Sequence, residues 1–433
     1  MPKGKTKSQS QVIKTKPSQG RSQNNKRSRV STEDTDDAQN KPVSPVRKKV
    51  TRARSAKEQP LIDSSNLKNA KDKQLESTDE KLGTETENSC PATIQEKEND
   101  NVTINAITKQ IQSEQGPSPR WGHSFSLIED EKAILIGGQG AKQQFSKDSS
   151  WLYDLVGKQW TNPKTQFDGM NPELRVGHSA SYDPAVRCIY IYGGSKNKRW
   201  FNDVHALDLE EYKWQLIKTQ GNAPTRAYHT STLYRHELWI FGGIFPQPDP
   251  QPDGSSNDIH IYSPLTESWY MPIVTGSERP QPRSGHSATL ISDELVVFGG
   301  WDFPYCFNDI YILDMSIVEW TKPEVNGTPP TPRSWHSACR LRGNQILIHG
   351  GYNGNVALSD TAGFNVDTKT WFNVKTDPLL ISRAGLDIIC QPNHNEKKSD
   401  SDDIVIFGGG DNDGNFYDDL VELNVPYGRL KSQ

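Results

Sequence analysis

Residues 282–320 read PRSGHSATLISDELVVFGGWDFPYCFNDIYILDMSIVEW. Five marks follow one another in this stretch. Arg283 stands three residues before His286, and the apolar run Leu295 to Phe298 ends in Gly299-Gly300. Asn308-Asp309 opens a second apolar run, Ile310 to Leu313, and Trp320 follows. Short apolar runs punctuated by Gly, Asn, Asp and Pro have the pattern of strands joined by turns, with no helical period between them.

The same marks recur along the chain. Arg stands at 120, 175, 226, 283, 333 and 383, and His three residues later at 123, 178, 229, 286 and 336, with Leu386 in the sixth copy. The Gly pair recurs at 137–138, 193–194, 242–243, 299–300, 350–351 and 408–409, and Trp at 160, 214, 269, 320 and 371. The mean spacing of the arginines is about 53 residues. A fixed period of this length means one supersecondary unit repeated.

With six Gly pairs, five Arg-x-x-His steps and five Trp residues in phase, the chain resembles the kelch-repeat family. The resemblance covers residues from about 101 to 433. It implies an all-β fold, a six-bladed kelch-type β-propeller with blades starting near the six repeat arginines. The last copy has a third strand, Asp419 to Asn424, but no Trp and little chain for a fourth strand. Residues 102–112, VTINAITKQIQ, precede Arg120 as an outer strand precedes Arg226. This segment is therefore expected to close the ring by pairing with the last blade, which removes an exposed edge.

Residues 1–100 contain no Trp, Tyr or Phe, and such a segment buries too little apolar surface to offset its chain entropy. A disordered tail is expected there, basic over 1–57 (16 Lys+Arg, 4 Asp+Glu) and acidic over 58–100 (5 and 11). Two clusters, Lys26, Arg27, Arg29 and Arg47, Lys48, Lys49, Arg52, Arg54, are candidates for a nuclear import receptor, against the simpler reading of a solvated tail. Ser44, in Ser44-Pro45-Val46-Arg47, is a candidate phosphosite beside the second cluster. No apolar stretch reads as a signal peptide or membrane span. The expected location is the nucleus, the cytoplasm or both. Nucleic acid is a less favoured partner, and the propeller is expected to be monomeric. The five cysteines are far apart and form no C-x-x-C pair, which argues for a reducing compartment and against a disulfide framework or zinc site.

Two groups are candidates for partner binding. Arg120, Arg175, Arg226, Arg283, Arg333 and Arg383 either pair with the aspartates that open each third strand (Asp203, Asp258, Asp309, Asp360, Asp419) or line the channel mouth and receive an acidic segment. The first copy carries Ser149-Ser150 where the others carry aspartate, so at least one arginine is expected to lack this partner. The second group is the loops after the Gly pairs, which differ most between copies: Lys198, Arg199, Trp200 and Phe201; Trp301, Phe303, Tyr305 and Phe307; and Tyr352. The repeat histidines are expected to tie backbone groups inside a blade, not to hold metal.

There is no Gly-rich phosphate loop, G-x-S-x-G or H-E-x-x-H. Copper-ligand residues like those of the kelch copper oxidases, and the Glu-x-x-x-Asp-x-x-x-His run of the plant specifier proteins, are not found. The expectation is a non-enzymatic scaffold without cofactor that binds a peptide or protein segment. The alternatives are a substrate receptor of a ubiquitin ligase, as several kelch proteins are, and a metal-dependent or oxidative enzyme.

Overall fold

The computed structural model describes residues 102–113, 115–163, 167–391 and 400–427. The tail expected to be disordered over 1–100, its basic clusters, Ser44 and residues 392–399 of the last copy lie outside the described residues. The architecture is an all-β propeller, and among the described residues the one helical turn is Ala141–Gln143.

The fourth copy shows how the marks make a sheet. Ser287–Ile291, Glu294–Phe298, Ile310–Asp314 and Glu319–Thr321 pair antiparallel in that order. Its second strand is buried from Leu295 to Phe298, as a strand covered on both faces must be. Asp314 accepts the N–H groups of Ser316 and Ile317 and so makes the turn into the outer strand. The first, second and third copies repeat this order, the second gaining Asp168–Gly169 alongside its outer strand. The fifth and sixth copies share one eight-stranded sheet, in which Thr103–Ile111 is the joining strand. That strand lies antiparallel to Leu420–Pro426, with Ile107 opposite Asn424 and Ile111 opposite Leu420. On its other edge it runs parallel to Thr370–Asp377, a pairing the sequence did not announce.

Each repeat Trp leaves the outer strand of one copy and packs on the second strand of the copy before it. Ring centroids lie 4.7 Å apart for Trp269 and Tyr192, 5.1 Å for Trp320 and Phe241, and 5.1 Å for Trp371 and Phe298. Trp160 meets Phe407 of the sixth copy at 5.2 Å, and Trp214 packs with Ile134 and Ile136 of the first. The apolar core is thus divided into clusters that lie between neighbouring copies.

Three sets of polar contacts tie the copies near the axis. The outermost explains the Gly pair. The N–H of Gly194 donates to Arg226 O at 2.7 Å, and the equivalent bond recurs from Gly138, Gly243, Gly300, Gly351 and Gly409 to the arginine of the following copy. At Gly193, φ is +65° and a Cβ would stand 2.5 Å from Arg226 O, so only glycine fits. Nearer the axis, the residue before each repeat histidine position donates its N–H to its counterpart one copy back. Gly177 donates to Gly122 O, Tyr228 to Gly177 O, Gly285 to Tyr228 O, Trp335 to Gly285 O and Gly385 to Trp335 O. Gly122 donates to Gly385 O and closes the circle, all six at 2.7–2.9 Å.

The histidines form the third set, and here the expectation is corrected. They do not mainly tie backbone groups within a blade; in four of the five, Nε2 bonds a hydroxyl of the preceding copy. His178 meets Ser124 Oγ at 3.0 Å, His229 meets Ser179 at 2.8 Å, His286 meets Thr230 Oγ1 at 2.9 Å and His336 meets Ser287 at 2.9 Å. The sixth copy, with Leu386 in place of His, substitutes Asp387, which accepts from Ser337 Oγ at 2.8 Å and from Phe125 N at 2.9 Å. Burial pushes the Asp387 carboxyl up to about 6.

Burial holds His178, His229 and His336 neutral, with pKa values lowered to about 3, against an ordinary value near 6.5. Their folded pKa is depressed, so the stability they contribute is present above pH 6.5 and is lost as pH falls toward 3. Each such imidazole should cost about 1.4 kcal/mol per pH unit in that window. Urea titrations between pH 7 and 4 should show this slope, and His229→Gln, whose amide can still reach Ser179, should remove one proton's share of it. An unchanged slope in that variant would mean that His229 is not among the groups that titrate.

Candidate interaction face

The loops after the Gly pairs and the approach to each first strand share one end of the propeller. The repeat arginines lie just beneath this face. All six arginines are buried, from 0% to 7% exposed. Arg283 donates to Gly299 O at 2.9 Å and to both Asp309 oxygens at 2.7 and 3.3 Å, while its Nε reaches Gln281 O. Arg175 with Asp203 and Arg383 with Asp419 repeat this two-point contact. Arg333 meets Asp360 at 2.6 Å. Burial alone disfavours ionisation of Asp203, but hydrogen bonds from Arg175 and His205 hold it well below the usual carboxylate range.

Two expectations change here. The arginines do not line the mouth; each guanidinium is spent inside its own copy, and all but Arg226 bond the first carbonyl of the Gly pair. Arg120 also has a carboxylate, Asp148 at 2.7 Å, one residue before the Ser149-Ser150 pair at which the sequence marks offered none. The least tightly held is Arg226, which bonds Ser256 Oγ at 3.0 Å and stands 3.7 Å from Asp258.

The aromatic candidates divide by exposure. Phe201 is buried with its ring 4.1 Å from the Arg175 guanidinium, and Phe307 covers Arg283 at 4.5 Å. Phe245 and Tyr417 do the same for Arg226 and Arg383, each at 4.9 Å. These rings are lids on the arginine sites, not free anchors. Trp200, Trp301 and Tyr352 are half-buried. Phe303 and Tyr305 stand out at 69% and 70% exposure on the two-stranded ribbon of Trp301–Asp302 and Tyr305–Cys306. Lys198 and Arg199 are exposed on the second-copy loop, where Glu173 takes Arg199 at 2.6 Å and Lys196 at 3.1 Å.

Between these loops lies a feature that the repeat marks did not reveal. Trp121, Tyr228 and Trp335 meet over the axis, with Trp121 and Tyr228 stacked at 6.1 Å and Tyr228 edge-on to Trp335 at 6.2 Å. Trp335 in turn stacks on Trp301 at 6.3 Å, so the axial aromatics support the exposed ribbon. Tyr228 and Trp335 occupy left-handed backbone, at φ 55° and 51°, where four other copies have glycine. The signal was present in the sequence: Arg-x-Gly-His becomes Arg226-Ala-Tyr228-His and Arg333-Ser-Trp335-His. Beneath this plug lies a polar cavity of about 370 Å³, lined by the first strands. Asp387 is the one carboxylate in that lining. Among the described residues no group of three His, Cys, Asp or Glu is arranged to hold a metal ion.

Residues 175–371 match the family model described as FBX42, beta-propeller domain. The chain is 36% identical over 204 residues to the Rab9 effector protein with kelch motifs of Bos taurus, covering 44% of this chain and 52% of the relative. It therefore spans about half the length of that relative. It is 28% identical over 347 residues to Kelch domain-containing protein 1 of Homo sapiens, covering 72% and 79%. A third match, at 30% over 265 residues, is Acyl-CoA-binding domain-containing protein 4 of Arabidopsis thaliana, 38% of which is covered. With the marks in phase and an all-β propeller carrying them, these matches support a kelch-repeat propeller family for the chain.

Proposed function

We propose that the chain is a six-bladed propeller, closed by the strand at 103–111, that serves as a non-enzymatic module binding a peptide or protein segment on its loop face. The six-membered circle of N–H···O bonds at the axis supports the blade count. The pairing of Thr103–Ile111 with Leu420–Pro426 supports the closure, because the sixth copy otherwise has three strands. The domain limits follow from the same reading: repeats starting near the six arginines within 101–433, preceded by a separate tail. The tail's basic clusters make nuclear as well as cytoplasmic residence part of the proposal.

One observation carries the binding site. Nearly every large aromatic on the loop side is used as a lid or plug, yet Phe303 and Tyr305 are held in solvent on a ribbon whose base, Trp301, is pinned by Trp335. Exposed aromatics on a rigid base are what interface hot spots are built from. On the same face, two copies back, the cationic loop at Lys198 and Arg199 offers a polar rim. A relative named as a Rab9 effector is in keeping with a protein partner.

Affinity purification with the full chain tests this reading. Phe303→Ala with Tyr305→Ala should lose specific partners while the melting temperature stays within a degree or two; retention of every partner would refute the site. Recovery of a cullin with the wild type would favour the ubiquitin-ligase alternative. Arg283→Ala should instead destabilise by about 3–5 kcal/mol, since it leaves Asp309 facing a buried void without its cation. Deletion of residues 102–113 should unfold the propeller, and an unchanged melting curve would sink the closure.

A further inference from the structure

The fifth and sixth copies meet along their first strands, Ser337–Leu341 and Ala384–Gln391. Both strands run away from the loop face, and one hydroxyl fixes their register. Ser337 Oγ donates to Asp387 Oδ1 at 2.8 Å and accepts from Ile388 N at 3.1 Å. Side chains alternate with period two, so two residues further along each strand Cys339 faces Cys390. The packing agrees. Cys339, Leu341, Leu386 and Ile388 share one apolar cluster, and Cys390 packs against it. The cysteines stand 51 residues apart, about one repeat, which is why spacing alone gave no hint of a pair.

We propose that Cys339 and Cys390 form a dithiol modification site, which a hydroperoxide oxidises to a disulfide joining the fifth and sixth copies. Cys390 is half-buried and Cys339 is buried, so the oxidant reaches Cys390 first. The neighbouring Cys390 thiol, and then burial, push the Cys339 thiol up and keep it protonated. The Cys390 thiolate attacks one peroxide oxygen, the O–O bond breaks, and a sulfenic acid forms as hydroxide leaves and takes up a proton. The Cys339 sulfur then attacks the sulfenic sulfur and gives up its proton, the S–S bond forms, and the S–O oxygen departs as water. The two thiols lose two electrons in all and the peroxide gains them. Cys188 and Cys306, also half-buried, have pKa values raised to about 11, chiefly by burial. Neither has a thiol neighbour among the described residues.

The test uses the full chain, fully reduced, treated with hydrogen peroxide, blocked with iodoacetamide and digested without reduction. Mass spectrometry should find the Cys339–Cys390 cross-linked peptide as the main product, with a rise in Tm that dithiothreitol reverses. In Cys339→Ser, dimedone should trap a sulfenic acid on Cys390; in Cys390→Ser, Cys339 should remain a free thiol. Separately alkylated Cys339 and Cys390 after peroxide treatment, or bridges made chiefly to other cysteines, would overturn the proposal.

Discussion

Everything near the axis depends on a circle of backbone hydrogen bonds in which each copy donates one N–H to the copy before it. The residue that donates must sit in left-handed backbone, φ 60–66° at Gly122, Gly177, Gly285 and Gly385. Its carbonyl and N–H then lie along the circumference instead of along the strand. A second circle lies outside it, from the second glycine of each pair to the arginine carbonyl of the next copy. The arginine therefore acts twice. Its backbone receives the neighbour, and its side chain grips the Gly pair and the aspartate of its own copy. A buried cation would be costly alone, but here an aspartate and backbone carbonyls receive most of its donors, and in four copies an aromatic ring covers it.

This explains which parts of the molecule were legible in the sequence. Arg283, His286, Gly299, Gly300 and Trp320 recur because each makes a contact between or within copies that every copy needs. Their spacing disclosed the propeller. The same argument limits what they disclose about binding. A residue repeated six times for framework reasons is consumed by the framework, as the burial of the six arginines shows. Phe201 and Phe307 were misread for a related reason. A sequence places an aromatic in a loop but does not say that an arginine waits beneath it.

The departures from the repeat carry the remaining information. Tyr228 and Trp335 replace glycine at the axis, and the glycines ahead of them leave room for their rings: a Cβ at Gly177 would meet Tyr228 at 2.8 Å, and one at Gly285 would meet Trp335 at 3.0 Å. Bulky residues in left-handed backbone are disfavoured by roughly 1–3 kcal/mol. Packing of three aromatics over the axis offsets this and gives the loop face a rigid floor. Comparing copies with one another, and not only counting their agreements, would have found this floor. It would not have found that Phe303 and Tyr305 project from it while Trp301 lies against it, because that division depends on the ribbon's pairing.

The sixth copy departs most, and the reason is its position. It is completed by a strand that comes more than 300 residues earlier in the chain, so its outer edge is filled without a Trp of its own. Where its histidine would stand, Leu386 packs in the core and the polar role moves one residue on, to Asp387, which bonds both neighbours. A carboxylate can accept from two sides at once; a histidine Nε2 serves only one. The facing cysteines lie three residues beyond, between the same two copies. The two junctions that Asp387 serves, with the fifth and the first copies, are therefore built with different chemistry from the four at which a histidine meets a hydroxyl. A copy that must join distant parts of the chain is the one in which strict repetition gives least, and there the sequence is free to place groups that titrate or oxidise.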